Sequence, residues 1–144
     1  MLQERELTQR IIECFFRVYD ALGFGFLESV YRRAMALELA ASGLRAGSEA
    51  VIDVWYRAEK VGHFRADLIV EHKVIIEIKA AQTLVPADRK QLLNYLRGGP
   101  VELGLLLHFG PKARFERLIF TNDQRTTERA DDVIRPCVSA CRPC

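Results

Sequence analysis

From Thr8 to about Leu22 the apolar residues Ile11, Ile12, Phe15, Phe16, Val18, Tyr19 and Leu22 recur at helical spacing, and Thr8 is placed to cap the first turn. The segment GFGF at 23–26 breaks that helix. A second helix follows over about 26–42, carrying Leu27, Val30, Tyr31, Ala34, Met35, Leu37 and Leu39, and Ser42-Gly43 ends it. The pattern then shortens to strands. Ala50–Tyr56 is β-branched and aromatic, and His63–Val70 and Val74–Ala80 flank the turn EHK. Pro86 suits the first turn of a helix bearing Leu92, Leu93, Tyr95 and Leu96, which stops at Gly98-Gly99-Pro100. Leu103–Phe109 is a continuous apolar run, as expected of a strand covered on both faces. Gly110-Pro111 turns the chain into Phe115–Phe120, an expected edge strand. Beyond Asn122 the periodicity fails, so residues 122–144 are expected to form a poorly ordered tail behind a domain spanning 1–121. The order ααβββαββ, with a helix between two strand groups, predicts an α/β fold in which helices flank a mixed sheet of about five strands.

Composition agrees with such a fold. The chain has 144 residues, 49% of them hydrophobic and 28% charged, enough to build one real core. A formal net charge of +2 is too small to demand a polyanionic partner and does not exclude one. No apolar run reaches the ~18 residues of a membrane span, and MLQERELTQR has no apolar signal-peptide core, so a cytoplasmic protein without a membrane partner is expected.

Charge matters most inside the strands. In RADLIVEHKVIIEIKA (65–80), Asp67, Glu77 and Lys79 interrupt two apolar segments. Glu77 and Lys79 share a strand face with Ile75, while Ile76 and Ile78 point the other way. A turn centred on His72 pairs residues whose numbers sum to 144, which sets Asp67 opposite Glu77. Opposed side chains have Cβ atoms about 4.5–5.5 Å apart, and like charges there destabilise a sheet. The pair needs a positive charge between its members. A divalent metal is one answer and Lys79 a weaker one, and carboxylate and carbonyl oxygens suit Mg²⁺ or Mn²⁺. The plainer alternative is a solvated outer face of a hairpin, because a short D…E-x-K pattern arises by accident often.

Two other segments offer polar groups to the same place. In GFLESVY (25–31), Glu28 and Tyr31 occupy adjoining positions of one helix face, and Glu28 sits where the helix dipole favours an acid. In QLLNYL (91–96), Gln91 and Tyr95 lie four apart, so both polar tips can converge while Leu92, Leu93 and Leu96 bury. Dipole complementation and an ordinary amphipathic helix are the bland readings of these segments. Arg32, Arg33, Arg65, Arg89 and Lys90 are candidate phosphate contacts; a solvated basic surface accounts equally for most of them.

These stretches, in this order, resemble the GxxExxY proteins, small members of the PD-(D/E)xK nuclease superfamily. The signature falls on Gly25, Glu28 and Tyr31, and VYDALGFGFLESVYRRAMALELAASGL, FRADLIVEHKVIIEIKA, QLLNYL and LGLLLHFG extend the likeness from about residue 7 to 120. The resemblance implies a restriction-endonuclease-like core. It makes Asp67 the motif aspartate, Glu77 and Lys79 the E-x-K, Gln91 and Tyr95 the Q-x-x-x-Y of RecB-like nucleases, and Glu28 the additional helical acid. It implies Mg²⁺ or Mn²⁺ held by Asp67, Glu77, the Ile78 carbonyl and Glu28, and phosphodiester hydrolysis of nucleic acid, with DNA preferred to RNA. The chain departs from many such relatives at Tyr19, Glu49 and Asp88. No sequence-reading element is legible, which leaves room for a partner or a homo-oligomer. The alternative function is a nuclease-fold module that binds or assembles with little or no catalysis.

The four cysteines are Cys14, Cys137, Cys141 and Cys144. Cys14 lies in an apolar helical pattern, where a buried free thiol is ordinary. The tail spacing C-x3-C-x2-C lacks one ligand of an iron–sulfur or other metal set, and some RecB-like nucleases join one early and three late cysteines in such a cluster. Free tail thiols are the preferred reading.

Overall fold

A computed structural model describes residues 2–121. The expected tail, with Cys137, Cys141 and Cys144, lies outside the described residues. Two helices open the chain, α1 (Leu2–Leu22) and α2 (Glu28–Ala41), followed by strands β1 (Ala46–Tyr56), β2 (Glu59–Val70) and β3 (Val74–Lys79). Helix α3 (Pro86–Gly98) then leads to β4 (Leu103–Phe109) and β5 (Ala113–Ile119). The strands form one sheet in the order β1-β2-β3-β4-β5. Its pairs are antiparallel except for β3 and β4, which run parallel because α3 carries the chain back between them. This is the expected ααβββαββ arrangement.

Helices cover both faces. Ile11, Phe15 and Val18 of α1 and Tyr31, Met35 and Leu39 of α2 pack on Leu68, Val70, Val74, Ile76, Ile78, Leu105 and Leu107. On the opposite face Leu92 and Leu96 of α3 pack on Ile52, Ala66, Ile75, Leu106 and Leu118. Each side chain of β4 is buried, which explains its unbroken apolar sequence. The close fit of α3 is visible at Gly104, where an added Cβ would come within 2.9 Å of Leu92.

The start of α1 corrects one expectation. Thr8 does not cap the helix: it lies inside it, fully buried, with its hydroxyl donating to the Glu4 carbonyl at 2.7 Å. Strand β1 begins earlier than the apolar pattern suggests, at Ala46, and β2 reaches further back toward their shared turn, to Glu59. Cys14 is a free, buried thiol, 3.3 Å from the Ser42 hydroxyl.

Alternation along β1 and β2 contains a reversal. Leu68 and Val70 join the core under α1 and α2, whereas Phe64 and Ala66 join the core under α3. Ala46 and Ile52 show the same change on β1. Both strands therefore turn over at Glu49 and Asp67, between the pairs Ser48–Leu68 and Ala50–Ala66. Glu49 absorbs the change with a φ of 53°.

Tyr31 fixes the loop ahead of α2. Its ring stacks on Phe109 with centroids 4.1 Å apart, and its hydroxyl donates to the Gly23 carbonyl and accepts from the Phe26 N–H. Tyr31→Phe keeps the stack and removes both bonds. Urea denaturation is expected to show a loss of about 1–2 kcal/mol, and an unchanged midpoint would show that the hydroxyl does not hold the loop.

Candidate active site

Register around His72 carries Asp67 and Glu77 to the same level of β2 and β3, since Leu68, Ile69 and Val70 pair with Ile76, Ile75 and Val74. The ladder stops there, and the acids take over its hydrogen bonds. The Asp67 N–H donates to Glu77 Oε1 at 3.2 Å, and the Ile78 N–H donates to Asp67 Oδ2 at 2.7 Å. The two carboxylates thus replace backbone carbonyls as acceptors where the strands part. The solvated-hairpin alternative fails for Glu77, which is only 7% exposed.

Burial, followed by the nearby Asp67 charge, pushes the Glu77 carboxyl up from its ordinary value of 4.5 to about 7. The Asp67 N–H, the Lys79 ammonium and the Glu28 charge act on it more weakly, the first two favouring the anion and the last opposing it. Tyr95 on α3 lies within the same field. Burial first, then Glu77 and Asp67, raises its hydroxyl pKa and keeps it a proton donor. Its ring lies flat on Phe64 of β2, with centroids 3.6 Å apart and 9° between the planes.

The remaining expected residues surround this pair at different ranges. Glu28, the first residue of α2, reaches the end of β3, where its Oε2 accepts from the Ala80 N–H at 3.4 Å. Lys79 Nζ is 3.8 Å from Asp88 Oδ1. Asp88 also caps α3, accepting from the Val85 N–H at 3.1 Å. Gln91 is exposed one turn before Tyr95, and both line one shallow cavity beside α3. Arg33, Arg65 and Lys90 are exposed, and Arg89 pairs with Glu116 at 2.8 Å.

Sequence reasoning named Arg32 only as a candidate phosphate contact and missed its place beside Asp67. Arg32 Nη1 stands 3.7 Å from Asp67 Oδ1. The available signal was the four-residue spacing of Glu28 and Arg32 on α2.

The donor chemistry suits a hard divalent cation. Asp67 and Glu77 supply carboxylate oxygens at close quarters, and Glu77 resists ionisation because it is buried and, secondly, because Asp67 is charged. Among the described residues no group of three or more His, Cys, Asp or Glu side chains is arranged to hold a metal ion. The fit therefore rests on the Asp67–Glu77 pair, with Glu28 turned to Ala80.

Comparison with known proteins bears on the family and the fold. A family model described as the PD-(D/E)XK nuclease superfamily matches residues 5–118. The fold is similar to the crystal structure of SSO0001, with a TM-score of 0.53 and 23% identity over 74% of this chain; the likeness spans 56% of that chain. No curated protein matches in sequence.

The raised Glu77 pKa sets a sign for stability. An acid at about 7 folded and 4.5 unfolded binds more protons in the folded state between those values. Its contribution therefore falls as pH rises through that window. Thermal melting of the wild type and Glu77→Gln in EDTA, from about pH 5 to about pH 8, is expected to show the variant gaining on the wild type as pH increases. A pH-independent difference would contradict the buried like-charge pair.

Proposed function

We propose that this chain, which belongs to the PD-(D/E)XK nuclease superfamily, is a metal-dependent nuclease that hydrolyses phosphodiester bonds of nucleic acid, with DNA preferred to RNA. The observation that carries the proposal is the pair of backbone-to-carboxylate bonds, Asp67 N–H to Glu77 and Ile78 N–H to Asp67, that hold the two acids side by side where the β2–β3 ladder ends. Within the superfamily we assign the chain to the GxxExxY proteins on Gly25, Glu28 and Tyr31. The nuclease-like domain spans 1–121 and acts in the cytoplasm, as a monomer or a homo-oligomer.

Asp67 and Glu77 would hold Mg²⁺ or Mn²⁺ with the Ile78 carbonyl, and Glu28 would add an oxygen directly or through water. Such an ion supplies acidified water and neutralises charge on a phosphate. The chain's own groups do the rest. Lys79, held near Asp88, positions the attacking water and offsets negative charge that builds on the phosphate oxygens. Tyr95 remains protonated and donates to the phosphate or its backbone, and Phe64 keeps its ring in place. Gln91, one turn earlier on α3, offers an amide to the same strand. Arg33, Arg65 and Lys90 are exposed and suited to backbone phosphates farther out.

One observation favours the alternative, a nuclease fold used for binding or assembly with weak catalysis. Glu28 is engaged by Ala80, and no third acid completes a metal set among the described residues. Activity decides between the readings. Cleavage of single- and double-stranded DNA and of RNA is expected with Mg²⁺ or Mn²⁺ and is lost in EDTA. Asp67→Ala should abolish it, and Lys79→Ala should lower the rate by about 10²–10³. Equal cleavage by Asp67→Ala would refute the site. Absence of both cleavage and metal binding in the wild type would establish the binding module instead.

A further inference from the structure

Asp67 has two carboxylate oxygens, and the structure commits them differently. Oδ2 accepts from the Ile78 N–H at 2.7 Å. Oδ1 is left for a cation, and it is the oxygen that Arg32 approaches, with Nη1 at 3.7 Å. The same guanidinium reaches a second acid, since its Nη2 is 3.5 Å from Glu49 Oε2. Glu49 stands across from Asp67 on β1, at the turnover where its φ is 53°. The three partners differ in exposure: Arg32 is 27% exposed, Asp67 20% and Glu49 57%.

This inference rests on the metal-dependent reading of the Asp67–Glu77 pair. We propose that Arg32 is a positioning residue: it is shared between Asp67 Oδ1 and Glu49 while no metal is bound and withdraws to Glu49 alone when a divalent cation takes that oxygen. A guanidinium beside Asp67 Oδ1 and a metal ion on that oxygen repel each other, so each weakens the other's hold. Arg32 therefore competes with the metal. Glu49 gives the displaced guanidinium a partner already within reach, so the exchange needs no rearrangement of the helix. Glu49 is well exposed, so that pairing is weak and the exchange reversible. Lys79 does not fill this role, because its ammonium faces Asp88.

Calorimetric titration of the full chain with Mn²⁺ tests the exchange without reference to activity. Arg32→Gln is expected to bind Mn²⁺ about tenfold more tightly than the wild type, whereas Arg32→Lys retains a competing charge and should stay near it. Glu49→Gln in the wild-type background removes the alternative partner and should weaken Mn²⁺ binding by about threefold. In the Arg32→Gln background the same Glu49 change should have little effect, because Glu49 acts through Arg32. Circular dichroism checks that each variant is folded. Unchanged or weaker binding by Arg32→Gln, or equal Glu49→Gln effects in the two backgrounds, would overturn the proposal. If wild type binds Mn²⁺ and Asp67→Asn does not, the metal site stands whatever the fate of Arg32. If neither wild type nor Arg32→Gln binds Mn²⁺, the metal reading and the competition fall together.

Discussion

Two carboxylates share one level of the sheet, and the structure around them follows from that repulsion. Where β2 and β3 part, the Asp67 and Ile78 N–H groups lose their ladder partners and are taken up by Glu77 and Asp67. A buried N–H without an acceptor costs roughly 1–3 kcal/mol, so the acids are held by the backbone they satisfy. That hold buries Glu77 beside the Asp67 charge, and burial first, then that charge, leaves its carboxyl at about 7. The site is thus preorganised by main-chain hydrogen bonds, with its electrostatic strain stored between side chains.

Each surrounding element meets the end of β3 for a separate physical reason. Helix α2 begins there because Tyr31, stacked on Phe109, fixes the loop that precedes it. Its first residue, Glu28, then reaches Ala80, and Arg32 reaches Asp67 one turn later. Helix α3 begins close by because Asp88 joins its cap to Lys79, and Leu92 packs over Gly104. Tyr95 follows two turns on, laid against Phe64. The two helices lie on opposite faces of the sheet, yet both bring polar groups to the level where the strands separate.

Much of this was legible in the sequence. The turn at His72 sets the register of the hairpin, and a register is a matter of counting, so the opposition of Asp67 and Glu77 follows directly. The continuous apolar run Leu103–Phe109 marks a strand covered on both sides. The turnover at Glu49 and Asp67 was not legible. Phe64, Ala66, Leu68 and Val70 keep one unbroken alternation in sequence, although they serve two different cores. A pattern of period two records that a residue is buried and not which face buries it. Thr8 was misread for a related reason: a buried threonine that bonds back within its helix has the same local sequence as a cap. The partners of Lys79 and Arg32 depend on side-chain reach between elements distant in sequence, which spacing within one element does not encode.

The central claim is that Glu77 and Asp67 form a like-charged pair whose strain a divalent cation relieves. The direct measurement is a carbon-13 NMR titration of the Glu77 side-chain carboxyl, first in EDTA and then with saturating Mg²⁺. The account predicts a midpoint near 7 without metal and a displacement to well below the ordinary carboxylate value with it. A midpoint near 4.5 without metal, unmoved by Mg²⁺, would contradict it.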